Sequence, residues 1–256
     1  MLRAEVNGRS IAYQRVGHGP ALVLLHGFTQ DSRVWRPQLE ALSDQFTVIA
    51  WDAPGAGQSA DPPETFGIAD WVNVLAALLD AAGVQRAHIL GLSWGGLLAQ
   101  ELYRRNASRV LSLVLVDTYA GWKGSLPAPQ PRERLAAALK DALLPGQEFV
   151  PRYLPGMFGD APSPEARQEL AAIISDTHPV GFRLMATALA QGDTRDLLPT
   201  IRVPTLLIWG DADKRSPMSV AHQLRDAIPG ARLEVHSGRR TRQQPRSAGS
   251  IQRHRA

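Results

Sequence analysis

Apolar and polar positions along this chain change period several times, and each change marks an element. Near the start, Ala4-Glu5-Val6, a turn at Asn7-Gly8 and Ser10-Ile11-Ala12-Tyr13 predict a hairpin, because Asn-Gly between short alternating runs favours a two-residue turn. Ala21-Leu22-Val23-Leu24-Leu25 is continuously apolar, as expected of a strand covered on both faces, and it ends in His26-Gly27-Phe28-Thr29. An amphipathic stretch from about Ser32 to Leu42 precedes a second apolar run, Phe46 to Trp51, which breaks at Asp52-Ala53-Pro54-Gly55-Ala56-Gly57-Gln58-Ser59. A helix is predicted from Ile68 to about Ala82; its face of Trp71, Val74, Leu75, Leu78 and Leu79 is core packing. The stretch from Arg86 then reaches Gly91-Leu92-Ser93-Trp94-Gly95-Gly96, where an apolar run turns into a helical pattern beginning at Leu97. Val110 to Asp117 is another buried strand. Strands alternating with helices of this length predict an α/β fold with a doubly wound, mainly parallel sheet.

From Thr118 to about Pro199 the pattern is helical only. Pro127, Pro129 and Pro131 mark a break, and helices are predicted near Arg132–Leu144, Pro164–Ser175 and Val180–Ala190. Ser163 before Pro164 supplies an N-cap followed by proline in the first turn. The βα pattern resumes with a strand at Val203–Trp209, the turn Gly210-Asp211-Ala212-Asp213, a helix from Ser216 to Ile228 and a strand at Arg232–His236. The expected organisation is a core formed by residues 1–117 and 200–238, a helical cap insertion over 118–199, and a tail over 239–256.

Composition narrows the chemistry. A chain of 256 residues, 44% hydrophobic, can bury a substantial core. The absence of cysteine excludes disulfides, thiolate nucleophiles and cysteine-based metal sites. No apolar signal core occupies the first twenty residues and no run approaches the ~18 apolar residues of a membrane helix, so a cytoplasmic protein is expected. The net charge of +4 and pI near 9.8 suggest a nucleic-acid partner until the charge is located. Arg239, Arg240, Arg242, Arg246, Arg253 and Arg255 lie in the tail with no acidic residue among them, and removing these six from the 28 basic residues leaves 22 against 24 acidic ones. The tail lacks the interleaved aromatic residues of a nucleic-acid binder, so the expected partner is a small molecule, with neither nucleic acid nor membrane.

The Gly-x-Ser-x-Gly-Gly turn carries the chemistry. A serine on a sharp strand-to-helix turn holds its hydroxyl clear of the backbone, and Gly91 and Gly95 leave room for the crowding. Together with the His-Gly pair after an earlier strand, Asp52-x-Pro-Gly-x-Gly-x-Ser after the next, and Trp209-Gly210-Asp211-x-Asp213, this turn resembles the α/β-hydrolase fold family over residues 4–238. The likeness is to its small lactonases, esterases and C–C bond hydrolases. It implies that Ser93 attacks an ester or ketone carbonyl, that the backbone N–H groups of Phe28 and Trp94 stabilise the oxyanion, and that Asp213 orients the general base. Asp211 would cap its turn, Asp117 occupies a position some relatives use for the acid, and His26 would brace its loop. A dehalogenase is disfavoured, because that chemistry needs a carboxylate where Ser93 stands.

Other motifs fail: Gly55-Ala56-Gly57 lacks the Lys-Ser/Thr of a phosphate loop and is no dinucleotide fingerprint, and no histidines have metal-ligand spacing, so neither metal nor cofactor is implied. Trp35, Trp122, Met157, Phe158, Phe182 and Met185 are candidates for an apolar pocket under the insertion or for core packing.

The base is missing. The resemblance places a histidine in the turn after the last strand, followed by a closing helix. Here His236-Ser237-Gly238 leads to Arg239-Arg240-Thr241, with Thr241 where the histidine belongs, and the tail has no helical period. His236 is a weak substitute, about five residues early, and His254 is weaker. Reading the back-translated tail one base later permits Gly-Glu-His-Val-Ser-Asn-Leu-Glu-Ala-Pro-Glu-Ala-Phe, a histidine turn followed by an apolar-spaced helix. The expectation is therefore a frameshifted end after about Gly238, a lost final helix and an impaired serine hydrolase, with a non-catalytic small-ligand binder as the rival.

Overall fold

Asn7 and Gly8 both adopt left-handed backbone conformations, φ 49° and 73°, and close a two-residue turn between β1 (Leu2–Val6) and β2 (Arg9–Val16). These come from a computed structural model that describes residues 1–158 and 162–237. The expected base position at Thr241, His254, Gly238 and the whole tail lie outside the described residues.

Six further strands follow: β3 (Ala21–Leu25), β4 (Thr47–Trp51), β5 (Ala87–Leu92), β6 (Val110–Val116), β7 (Thr205–Gly210) and β8 (Arg232–His236). The sheet order is β1-β2-β4-β3-β5-β6-β7-β8, antiparallel for β1, β2 and β4 and parallel from β4 to β8. This is the α/β, mainly parallel architecture expected. β2 runs to Val16 because its second half pairs with β4, Tyr13 opposite Trp51 and Val16 opposite Val48. From β3 the chain goes to its neighbour β4 and then crosses back through α2 to β5 on the other side of β3, so the strand order reverses there. In parallel sheets the crevice at such a reversal, outside the carboxyl ends of the strands, receives ligands.

Alternation along the strands divides the core between two faces. Val23, Leu25 and Ile89 point to one side, where they meet α2 (Ile68–Ala81), α3 (Trp94–Asn106) and α9 (Met218–Ala227) through Trp71, Leu75, Leu98, Leu102 and Leu224. Leu22, Leu24 and Leu90 point to the other, under Leu39 and Leu42 of α1 (Arg36–Leu42) and Trp35 of the preceding 3-10 turn.

Between β6 and β7 lie α4 (Trp122–Ser125), α5 (Gln130–Asp141), α6 (Gly146–Tyr153), α7 (Pro164–Ser175) and α8 (Pro179–Gln191). Helix α7 occupies the expected span, and its Ser163 Oγ accepts the Ala166 N–H at 3.2 Å. Helices α4 and α6 were not expected from the pattern, one being a single turn and the other carrying Pro151 within it. Phe149, Leu170, Ile174, Phe182 and Ala186 form a small core of their own, against which Phe28 also packs. No helix among the described residues is long and apolar enough to cross a membrane.

Candidate active site

Ser93 stands between the end of β5 and the start of α3 at φ 53°, ψ −113°. Non-glycine residues rarely occupy this conformation, which costs on the order of 1–3 kcal/mol. The surroundings hold it there. Its N–H donates to the Val116 carbonyl at 2.9 Å, and its own carbonyl accepts from Gly96 N–H at 2.9 Å and Thr118 Oγ1 at 2.5 Å. A Cβ on Gly91 would collide with the Gly95 carbonyl, and one on Gly95 with the backbone of Leu25 and His26. The hydroxyl of Ser93 makes no hydrogen bond among the described residues.

The turn after β3 abuts this serine: a Cβ on Gly27 would lie 3.8 Å from Ser93 Cβ. His26, fully buried, sets its shape. Its Nε2 accepts the Ala53 N–H at 3.0 Å, so Nδ1–H donates to the Gly27 carbonyl at 2.8 Å. Burial pushes its pKa down, and the ring is neutral with both nitrogens engaged. The Gln30 side chain accepts the Gly27 N–H at 3.2 Å. Among the described residues, the backbone N–H groups of Phe28 and Trp94 have no acceptor. The Asp52 motif is knitted into the same loops: its Oδ1 accepts from Ser32 N–H and its Oδ2 from Gln58 N–H, both at 2.8 Å, while Ser59 Oγ donates to its carbonyl at 2.6 Å.

Two carboxylates line the cavity that holds Ser93. Asp213 Oδ1 accepts the N–H groups of Arg215 at 2.6 Å and Ser216 at 3.1 Å, leaving Oδ2 without a hydrogen bond among the described residues. Asp117, at the end of β6 with φ 41°, uses Oδ1 to accept the Gly210 N–H at 3.2 Å. Asp211 is exposed, and its N–H donates to the His236 carbonyl at 3.3 Å.

None of the described histidines lines this cavity. His236 pairs opposite Gly210 at the end of β8, His88 meets Ser112 Oγ at 2.8 Å, and His222 lies on α9. His178 is turned toward Asp61 at 2.7 Å and the Gly57 carbonyl at 3.1 Å.

The cavity encloses about 340 Å³, toward the small end of ligand sites. Its opposite wall comes from residues the sequence did not mark. Tyr119 O–H donates to the Arg215 carbonyl at 2.5 Å, and burial pushes this phenol up to about 12. Arg134, on α5, donates from Nη1 to Tyr119 Oη at 3.2 Å and to the Arg215 carbonyl at 3.0 Å. Arg215 donates in turn to the Tyr153 carbonyl at 2.7 Å. Of the apolar candidates, Trp122 and Met157 line the cavity, while Trp35, Phe182 and Met185 belong to the packed clusters. Proximity to Asp213 in the sequence could have drawn attention to Arg215; nothing distinguishes Arg134 from any other helical arginine. No cluster of potential metal ligands occurs among the described residues.

Comparison with known proteins gives a consistent outcome. The profile of the family described as alpha/beta hydrolase fold matches residues 20–238. The pimeloyl-acyl-carrier-protein methyl ester esterase of Aliivibrio salmonicida is 31% identical over 86% of this chain and 84% of its own length. The 3-oxoadipate enol-lactonase 1 of Acinetobacter baylyi is 28% identical over 89% of this chain and 85% of its own. Among solved structures, the enol-lactonase of Burkholderia xenovorans LB400 superposes with a TM-score of 0.88 at 26% identity, covering 98% of this chain and 97% of that one.

Proposed function

The chain belongs to the α/β-hydrolase fold family, an enzyme family, and from that premise we propose that Ser93 is the nucleophile of a hydrolase acting on a small ester, lactone or C–C substrate. The observation that carries this reading is the strained serine at the strand-order reversal, where its hydroxyl and the backbone N–H groups of Phe28 and Trp94 make no hydrogen bond among the described residues. In the proposed step the Ser93 oxygen forms a bond to the substrate carbonyl carbon, and its proton passes to a base. The carbonyl oxygen gains the negative charge, and the N–H groups of Phe28 and Trp94 meet it; each such donor is worth about 3–4 kcal/mol in hydrolases of this kind. The tetrahedral intermediate then expels its leaving group, which takes up the proton, and water releases the acyl group from Ser93.

Asp213 has the arrangement of an orienting acid. Backbone N–H groups fix one oxygen, and the other is left for an imidazole N–H. The histidine it would orient is the one replaced at Thr241, so this chain as written is an impaired enzyme, by about 10⁶-fold if it behaves like a serine protease without its base. We attribute the loss to a frameshift after about Gly238. Residues 1–117 and 200–238 are then the catalytic core, 118–199 the cap that shapes specificity, and 239–256 an aberrant tail replacing the closing helix.

Acylation tests the reading. An activated phosphonate or nitrophenyl ester should label Ser93 in the intact chain, detected by mass spectrometry, and should leave Ser93→Ala unlabelled. Restoring the shifted frame should raise turnover by several orders of magnitude. Equal activity of the two chains would refute the account of the base, and saturable ligand binding without labelling in the restored chain would favour a binding protein.

A further inference from the structure

Resting on that reading of Ser93, we propose that the substrate carries a carboxylate and that Arg134, reaching into the cavity from α5, binds it. The cation is held in place by neutral partners only. Its Nη1 is engaged by Tyr119 Oη and the Arg215 carbonyl, and its guanidinium carbon lies 5.7 Å from the centroid of the Trp122 ring and 6.0 Å from that of Tyr119. These contacts fix the plane of the group and leave Nε and Nη2 without a hydrogen bond among the described residues. A guanidinium presented in this way offers two parallel N–H donors, the geometry that matches a carboxylate.

Two other half-buried arginines are neutralised: Arg33 meets Asp31 at 2.6 Å and Arg109 meets Asp80 at 2.7 Å. Arg134 has no carboxylate within ion-pair distance among the described residues, although it is half-buried and Trp122 beside it is almost fully so. Tyr119 does not neutralise it either, because its hydroxyl is committed as a donor to the Arg215 carbonyl. A half-buried charge facing a small, mostly apolar cavity is costly unless something pairs with it.

The cavity's two acids do not cancel this preference. Asp117 accepts the Gly210 N–H and Asp213 the N–H groups of Arg215 and Ser216, and Lys214 and Arg215 accompany Arg134 in the lining, three cations against two acids.

The test uses the intact chain and needs no turnover. Monomethyl glutarate and dimethyl glutarate are titrated calorimetrically into the wild type; the monoacid should bind at least tenfold more tightly, and equal binding would overturn the proposal. Arg134→Gln should weaken the monoacid by 10- to 100-fold, and Arg134→Lys should keep part of the affinity. An unaltered monoacid affinity in a folded Arg134→Gln would also overturn it. In parallel, Ser93 acylation is compared between mono-4-nitrophenyl glutarate and 4-nitrophenyl butyrate, the expected preference for the charged ester collapsing in Arg134→Gln. Should neither ester label Ser93 while monoacid binding still depends on Arg134, the hydrolase reading falls and the carboxylate site stands.

Discussion

The two walls of the cavity are built by different means. On one side, the Gly27–Gln30 turn and Ser93 are placed by main-chain groups, bonded to one another and to the short reach of His26, Gln30 and Thr118, and by close backbone approaches that only glycine allows. On the other, Tyr119, Arg134, Tyr153 and Arg215 are placed by long side chains that bond to one another's carbonyls across elements far apart in sequence. On the proposed reading, the wall made of backbone is stiff and chemically generic, offering N–H groups to any developing oxyanion, while the wall made of side chains is adjustable and sets substrate preference. Reaction type is then set by the first wall and specificity by the second, with Gln100 and Phe28 as the points where the two are coupled.

The largest effect should come from the stiff wall. Gly95→Ala would drive a Cβ into the backbone at the end of β3, and we expect a loss of about 3 kcal/mol in urea unfolding, with labelling of Ser93 abolished. Less damaging is Gln100→Leu. The Gln100 amide donates to the Gly96 and Tyr119 carbonyls at 3.0 and 2.8 Å and accepts from Thr194 Oγ1 at 2.6 Å, joining the two walls. Its removal leaves buried groups unpaired and should cost about 2 kcal/mol.

Titration separates the walls by sign. His26 is held neutral with its pKa below 6.5, so the unfolded chain takes up a proton first as pH falls and stability drops below pH 6.5, at most by about 1.4 kcal/mol per unit. Urea midpoints at pH 7.5, 6.5 and 5.5 measure that slope, which His26→Gln should flatten. Tyr119 behaves in the opposite sense: the unfolded phenol ionises at pH 10 and the folded one only near 12, so stability falls as pH rises through that window. Tyr119→Phe should remove the alkaline loss and cost about 1 kcal/mol at neutral pH through its lost hydrogen bonds. At the bottom of the scale, Leu143, 82% exposed after α5, touches neither wall, and Leu143→Ser should change stability by less than about 0.5 kcal/mol.

The same division explains what the sequence disclosed. The turn at Ser93 is legible because a crowded backbone restricts residue types at fixed spacing, and strand β3 is legible because burial on both faces demands a continuous apolar run. Helix α7 announces itself through Ser163 and Pro164. Helix α6 does not, since its eight residues include a proline and only Phe149 is buried. Arg134 carries no local signature, because what singles it out is the absence of a carboxylate partner among the described residues, and that depends on where α5 is laid over the sheet. Asp213 and Asp117 were both visible as turn aspartates; their difference, two backbone donors on Asp213 Oδ1 against the Gly210 N–H on Asp117, needed coordinates.

Phe28 belongs to both walls. Its N–H lies in the turn against Ser93, while its ring stacks on Phe182 at 5.0 Å and meets Trp122 and Tyr153 edge-on at 6.3 and 6.0 Å. Anyone grafting a foreign set of helices between β6 and β7 to acquire a new substrate would thus also be retuning the peptide plane beside the serine. A chimera made that way will inherit its donor's preference only if the graft brings an aromatic seat for this one ring.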